Sequence, residues 1–527
     1  MIDQQPPQPQ PPQGPDPHRW WTLGAVCVAT FMLLLDVTIV NVALPDIQQD
    51  LKSSFEDIQW VVDAYALTLA AFLLTFGSLA DRIGRKRVFL AGLGLFTLAS
   101  LLCGLSKDPT TLNLARALQG VGGAAMFATS LALLAAAFTG RERGTALGIW
   151  GATTGASVAV GPLVGGVLTE HVSWQSIFFV NLPIGLGAIA VTMRMVRESR
   201  SPDPDPIDWP GLTTFSVGLF TLIFALVRGN AKGWGSGQIV ALLVAAVVLL
   251  IAFVLIEART ERPMLDLKLF RKPAFVGASI VAFALSASMF AMFLYLTLYM
   301  QNILGYSPLE AGLRFLPITV LSFFCAALSG NLTERVPVRF LLGIGLGLVG
   351  VGLLLMSGLD AGSKWTHLLL GFLLGGAGVG LTNPAIASTA VGVVEPARAG
   401  MASGVNSTFR QVGIATGIAG LGAIFQSTIT GRVTDAIRDS GASLPAGSKL
   451  PPAEILAQGR AAAVPAQLRG AFVTGWTSAL NELLIITGVL AVVGAVLAFV
   501  LVRGKDFVAQ RPAPAAPEPA REPQPAA

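Results

Sequence analysis

The sequence specifies an all-α integral membrane protein of fourteen transmembrane helices, arranged as six, two and six. Three observations carry this. Of the 527 residues 53% are apolar and only 12% charged, where a soluble chain carries about 25% charged residues. Apolar runs of 18 residues or more recur from end to end, each long enough to cross a hydrocarbon core of about 30 Å. The third observation is a weak internal repeat, which relates helices 1–6 to helices 9–14.

The spans follow in order. Helices are expected at 20–44, 57–79, 88–106, 110–139, 144–169, 177–196, 209–228, 238–257, 274–300, 311–330, 338–359, 366–393, 401–426 and 476–502. Lys and Arg concentrate in the loops on one side, which the positive-inside rule makes cytoplasmic, and an even span count then leaves both termini there. Residues 1–19, rich in Pro and Gln, lack a basic n-region and a cleavage site and so do not read as a signal peptide. They and residues 506–527 read as disordered cytoplasmic tails. The expected organisation is a six-helix half over 20–200, two inserted helices over 201–262, and a second half over 263–505. This second half contains a long outer loop, 427–474, too polar to span.

Several classes of chemistry are disfavoured. Cys27, Cys103 and Cys325 lie within apolar runs, and His18, His171 and His367 are scattered, so no metal site, cofactor site or catalytic triad is expected. No Walker motif is present. An enzyme or a nucleic-acid partner is therefore not expected. The expected partners are a lipid bilayer, a small-molecule substrate and protons, with the protein a monomer.

The repeat is read from glycines and charges. "GSLADRIGRK" (77–86) after helix 2 is matched by "GNLTERVPVR" (330–339) after helix 10: Gly77 pairs with Gly330, Asp81 with Glu334 and Arg82 with Arg335. At nearly the same offset Gly120, Gly122, Gly144, Gly148 and Gly161 pair with Gly376, Gly378, Gly400, Gly404 and Gly417. Parallel repeats of six helices about an axis normal to the membrane build alternating-access transporters, with the site between the halves.

The motifs "LDVTIVNVALP", "GSLADRIGRKR", "RALQGVGGA", "GATTGASVAVGPLVGG", "FFVNLPIG" and "QNILGYSPLEAGLRFLP" occur in that order. With them the chain resembles the major facilitator superfamily, in its 14-helix drug:proton antiporter branch, over essentially residues 20–505. The resemblance implies the major facilitator fold, a bacterial cytoplasmic membrane and proton-coupled efflux of drug-like compounds; two acids in the first half, Asp36 and Asp63, with an apolar cavity suit amphipathic cations. A dedicated exporter of an endogenous metabolite, antibiotic or lipid uses the same fold and stays open. An uncoupled facilitator is disfavoured by Asp36 together with Arg116.

The candidate residues follow from their chemistry. A carboxylate at mid-bilayer costs roughly 3 kcal/mol on insertion scales, yet Asp36 lies in an apolar stretch, on one helical face with Ala25, Ala29, Val40 and Ala43. It is either a protonatable coupling acid or a structural hydrogen-bonding group, and the resemblance implies the coupling acid. Arg116 in helix 4 stays charged, so its use is as a fixed cation whose partner changes. Asp63 in helix 2 is a second candidate for the proton or for a cationic substrate, unless it snorkels to the interface. Asn41, Tyr65, Gln119, Phe290, Phe293 and Arg410 are candidate cavity residues. Tyr65 and Trp60 also suit an interface belt, and Arg410 suits an anion or an inserted carboxylate. Gly77, Asp81, Arg82 and Arg85 form a candidate conformational latch, with the Asp81 carboxylate directed at the helix N-terminus near Gly400. Gly148, Gly151, Gly155, Pro162 and Gly165 form a stripe suited to close helix packing, and Gly155, Gly161, Pro162, Gly165 and Gly166 are the candidate motif residues on it and beside it. By resemblance this stripe is the antiporter motif, which favours export.

Overall fold

The computed structural model describes residues 17–53, 55–200, 207–261, 263–333, 335–395, 398–440, 450, 453–459 and 464–507. All regular structure among them is helical: α1 (Arg19–Asp50), α2 (Phe55–Ile83), α3 (Arg85–Leu105), α4 (Pro109–Ala137), α5 (Gly140–His171) and α6 (Ser176–Met195). Then come α7 (Trp209–Lys232), α8 (Gly237–Arg259) and α9 (Pro273–Ile303). The chain continues with α10 (Pro308–Leu332), α11 (Val338–Met356), α12 (Trp365–Gly392), α13 (Ala399–Asp439) and α14 (Arg469–Leu501). Thirteen of these are long and apolar enough to cross a membrane. The other, α5, is 32 residues long, rich in glycine, and packs along α1 on one side and α10 on the other.

The helix ends are set locally. Asp108 and Asp208 accept from the backbone N–H of Thr111 and Gly211 and so cap α4 and α7, each followed by proline in the first turn. Ser307 and Glu310 form a reciprocal capping box on α10. Gly84, at φ +120°, makes the tight turn between α2 and α3, a conformation open to glycine and strained for other residues. α9 widens into π-helical turns at Ser286–Phe290 and Tyr299–Ile303, a feature that recurs at functional sites.

α1–α6 pack mainly on one another, as do α9–α14; between the two sets α5 lies on α10 and α12, and α2 on α13. α7 and α8 pair as a hairpin, and α7 also rests on α2 and α13. α8 presents Val240, Val244, Val247, Val248, Ile251 and Val254 outward, the surface of a helix held in lipid.

The repeat shows itself where the two sets meet. A methyl group on Gly77 of α2 would fall 2.5 Å from the carbonyl oxygen of Gly400 and 3.2 Å from the Cα of Gly404 on α13. Gly330 of α10, the repeat mate of Gly77, lies against Gly144 and Gly148 of α5, the mates of Gly400 and Gly404. These are two copies of one contact, both at the bundle end carrying the α2–α3 turn. Along its length α1 packs on α2, α4, α5 and α6 without substantial packing on α9 among the described residues.

One expected boundary is corrected. Residues 427–439 are not loop: α13 runs on to Asp439 and α14 begins at Arg469. The segment is polar on average, but Ile429, Val433 and Ile437 recur every fourth residue and are buried, so an amphipathic face carries the helix past the membrane. Arg432 on this extension pairs with Glu482 of α14 at 3.2 Å.

Candidate functional site

Asp36 lies about 25 Å along α1 at 1.5 Å per residue, nearer the end opposite the α2–α3 turn. It is 1% exposed. A lone carboxylate there would be very costly, and the neighbouring helices supply its partners. Arg116 Nη1 of α4 donates to Asp36 Oδ2 at 2.5 Å. Gln119 Nε2, one helical turn further along α4, donates to Oδ1 at 2.9 Å. Asn181 Nδ2 of α6 donates to the same oxygen at 3.1 Å.

The partners are themselves satisfied. Arg116 Nε donates to the Val61 carbonyl at 2.9 Å and Nη1 to Gln119 Oε1 at 2.6 Å. Gln119 and Asn181 both also donate to Ser100 Oγ, at 2.7 and 3.1 Å. The guanidinium sits 4.3 Å from the Tyr65 ring centroid, within cation–π range. Five helices therefore converge on one ion pair shut away from solvent. Breaking such a pair by neutralising one partner costs about 3–5 kcal/mol, because the other charge stays buried without compensation.

Sequence reasoning finds the charges and Gln119 but misses Asn181 and Ser100. Asn181 stands in the "FFVNLPIG" stretch, where helix 6 breaks between Phe179 and Asn181; a carboxamide at a helix break in an apolar run was the available signal. Tyr65 is not an interface anchor. It is 2% exposed beneath Arg116, and its hydroxyl donates to the Leu33 carbonyl at 3.4 Å. We expect Asn181→Leu to lower thermal stability by roughly 1.5–3 kcal/mol, the usual contribution of a hydrogen bond to a charged group. Differential scanning fluorimetry of the purified protein checks this.

Asp63, on α2, does not join the network. It is buried at 9% exposure, one of its oxygens has no hydrogen-bond partner, and the charge of Arg228 on α7 acts on it directly. Arg228 lies 4.7 Å over the Trp60 ring and is 6% exposed; sequence reasoning missed it. The inserted hairpin thus brings a cation to the acid of α2. The side chain of Asn41 lies outside the described residues.

At the α2–α3 turn Asp81 Oδ1 accepts from Gly400 N–H at 3.0 Å and Oδ2 from Met401 N–H at 2.9 Å. Both donors belong to the first turn of α13, where unpaired N–H groups and the helix dipole favour a carboxylate. Arg85 Nη2 donates to Asp81 Oδ1 at 2.7 Å. Arg82 lines a small pocket with Asp208 and Met264 beside the inserted helices, and its charge acts on Glu257 of α8. Glu334, the repeat mate of Asp81, lies outside the described residues.

On α5 the glycines divide among three neighbours. Gly151 faces Pro384 of α12 and Gly155 faces Ser322 of α10, while Gly161 is pressed on Thr38 of α1. A methyl group on Gly166 would meet nothing within 4 Å. Gly165 is buried, and the side chain of Pro162 lies outside the described residues. Arg410 of α13 is buried with Phe290 of α9 6.0 Å from its guanidinium. Phe293 packs instead on Phe315, ring centroids 5.4 Å apart, inside the second helical set.

Comparison with known proteins agrees with this geometry. Residues 26–418 match the family model of the Major Facilitator Superfamily. The chain is 38% identical to a puromycin resistance protein of Streptomyces alboniger, over 82% of this chain and 86% of that one. It is also 38% identical to the multidrug resistance protein Stp of Mycobacterium tuberculosis, over 78% and 76% of the two chains. The solved structure of a proton:xylose symporter superposes with a TM-score of 0.62 at 11% identity, covering 92% of this chain and 96% of the other. A multi-pass helical chain with two copies of one glycine contact and a buried acid–arginine pair thus belongs to the major facilitator superfamily, as a membrane transporter and not an enzyme.

Proposed function

We propose that the chain exports amphipathic, drug-like compounds across the bacterial cytoplasmic membrane in exchange for protons. The observation that carries the reading is the buried Asp36–Arg116 pair. Protonation removes the negative partner and leaves a buried guanidinium alone, at about 3–5 kcal/mol. Shifting a two-state equilibrium from 1:99 to 99:1 takes about 5.5 kcal/mol. Where the pair is made in only one of the two conformers, one proton supplies most of a complete conformational switch.

The direction of transport is supported by the relatives, named for resistance to puromycin and to multiple drugs. Placing the α2–α3 turn in the cytoplasm puts both termini there and makes this conformer closed on the cytoplasmic side. A proton moving down 100 mV releases about 2.3 kcal/mol, enough for tens-fold accumulation without nucleotide hydrolysis. The expectation of a cationic cargo rested on two acids in the first half. Asp36 is now matched by Arg116 and Asp63 by Arg228, so neither gives the cavity a net negative charge.

The test uses proteoliposomes with an internal pH dye and puromycin or ethidium on the side from which substrate is loaded. Proton flux is expected on addition of substrate, and collapse of the pH gradient is expected to stop uphill movement. Substrate movement without proton flux would leave a facilitator and remove the antiport reading.

A further inference from the structure

We infer that the second helical half holds a recognition site for an acidic or other anionic oxygen group on the cargo, built around Arg410. This deepens the export reading and rests on it. Arg410 stands about 17 Å along α13 from its start near Gly400, close to mid-membrane. It is 8% exposed, and no carboxylate or hydrogen-bond acceptor is paired with it among the described residues. The Phe290 ring lies 6.0 Å from its guanidinium.

The surroundings are polar and equally unmatched. Asn406 is one turn before Arg410 on the same face of α13, and its Nδ2 has no partner. One turn after Arg410, Gly413 lies against Phe283 and Ser286 of α9, and Ser286 Oγ is buried without a partner. On α12, Gly380 touches α10, Gly345 of α11 meets Thr382, and Gly151 of α5 meets Pro384. Asn383 therefore faces the remaining quarter, toward α9 and α13, on which α12 also packs. Both atoms of its carboxamide are buried without partners.

A buried polar group is ordinarily hydrogen-bonded and a buried charge ordinarily paired. Here a guanidinium, a full carboxamide, a further amide nitrogen and a hydroxyl all lack partners among the described residues. Water satisfies amides and hydroxyls, but a cation is neutralised only by an anion. A guanidinium matches the two oxygens of a carboxylate in geometry as well as charge. The Phe290 ring beside it suits an aromatic body carrying that group. The first half contrasts with this, since its buried cation Arg116 is already matched by Asp36.

The test compares rhodamine B, which carries a free carboxylate, with its ethyl ester, the same dye with the carboxylate blocked. Binding to the purified protein is read by fluorescence anisotropy, and uptake into proteoliposomes is driven by a pH gradient. The native chain is expected to bind the free acid about tenfold more tightly than the ester. Arg410→Gln is expected to abolish that preference while leaving ester binding within twofold, and Arg410→Lys to keep part of it. Equal binding of acid and ester by the native chain, or no binding of the acid, overturns the inference. So does equal loss of both dyes in Arg410→Gln, which marks a structural residue. A preference for the acid in binding with no gradient-driven uptake keeps the anion site and overturns the export reading instead.

Discussion

Asp36→Asn is expected to abolish substrate-driven proton flux and to reduce uphill export at least thirtyfold, while downhill exchange of substrate continues. Asparagine keeps the shape and keeps an oxygen for Gln119 and Asn181, which both donate to Oδ1. The change falls on the other atom. Where Oδ2 accepts from Arg116 Nη1, the variant places an NH2 group, a donor against a donor. Arg116 then keeps its bonds to Val61 and Gln119 but has no counter-ion in a site without solvent. The variant is therefore more than a permanently protonated acid. It is fixed in the state in which the pair is broken, and no proton can restore it.

Two companions make the result specific. Arg116→Lys keeps the charge but cannot hold the Val61 carbonyl, Gln119 and Asp36 together, since an ammonium lacks the planar fork of a guanidinium; it is expected to lose most of the coupling. Asp36→Glu keeps the titratable group and is expected to retain measurable flux. All three are read with an internal pH dye in proteoliposomes. Uphill export by Asp36→Asn within twofold of native would make Asp36 a structural residue, and Asp63 would then be the next acid to remove.

How much of this was legible in the sequence depends on the kind of signal. Asp36 and Arg116 stand out because a charge in an apolar run has no inexpensive explanation. Gln119 follows at one turn. Ser100 carries no charge, and hydroxyl residues occur in many membrane helices, so nothing set it apart until α3 and α6 were placed beside α1; Asn181 was marked only as a carboxamide in an apolar run. Arg228 lies four residues from the end of α7 and reads like any arginine near a membrane surface; only the packing of α7 on α2 brings it to Asp63. Tyr65 was misread because aromatic residues near span ends are usually interface anchors, while this one is covered by Arg116. The extension of α13 was missed because mean hydropathy discards periodicity. The close contact of Gly77 with Gly400 was legible for a different reason: the repeat supplies two examples of the same approach, and the second half showed which glycines the first half needed.

The latch carries the second large expectation. Asp81→Asn is expected to reduce the ratio of closed to open molecules at the α2–α3 turn by about 30- to 150-fold. Hydrogen bonds to a charged group contribute roughly 1.5–3 kcal/mol each, and Asp81 accepts two from the first turn of α13. The variant keeps one acceptor oxygen and loses the charge, so the net loss is about 2–3 kcal/mol. Arg85 does not compensate, because it belongs to the same side of the interface as Asp81 and binds it within four residues. Ser403 of α13 reports the opening: it is buried, between Gly400 and Gly404 at the α2 contact. In a chain with its three cysteines replaced, maleimide labelling of Ser403→Cys is expected to accelerate at least tenfold when Asp81→Asn is added. Gly77→Val should accelerate labelling by a different route, since its branched side chain has no room beside the Gly400 carbonyl. Faster labelling in the glycine variant with no change in Asp81→Asn would mean that backbone fit alone holds the halves together and the carboxylate is not a latch. Acceleration in both would show that charge and fit act on one equilibrium, the one that protonation of Asp36 is proposed to move.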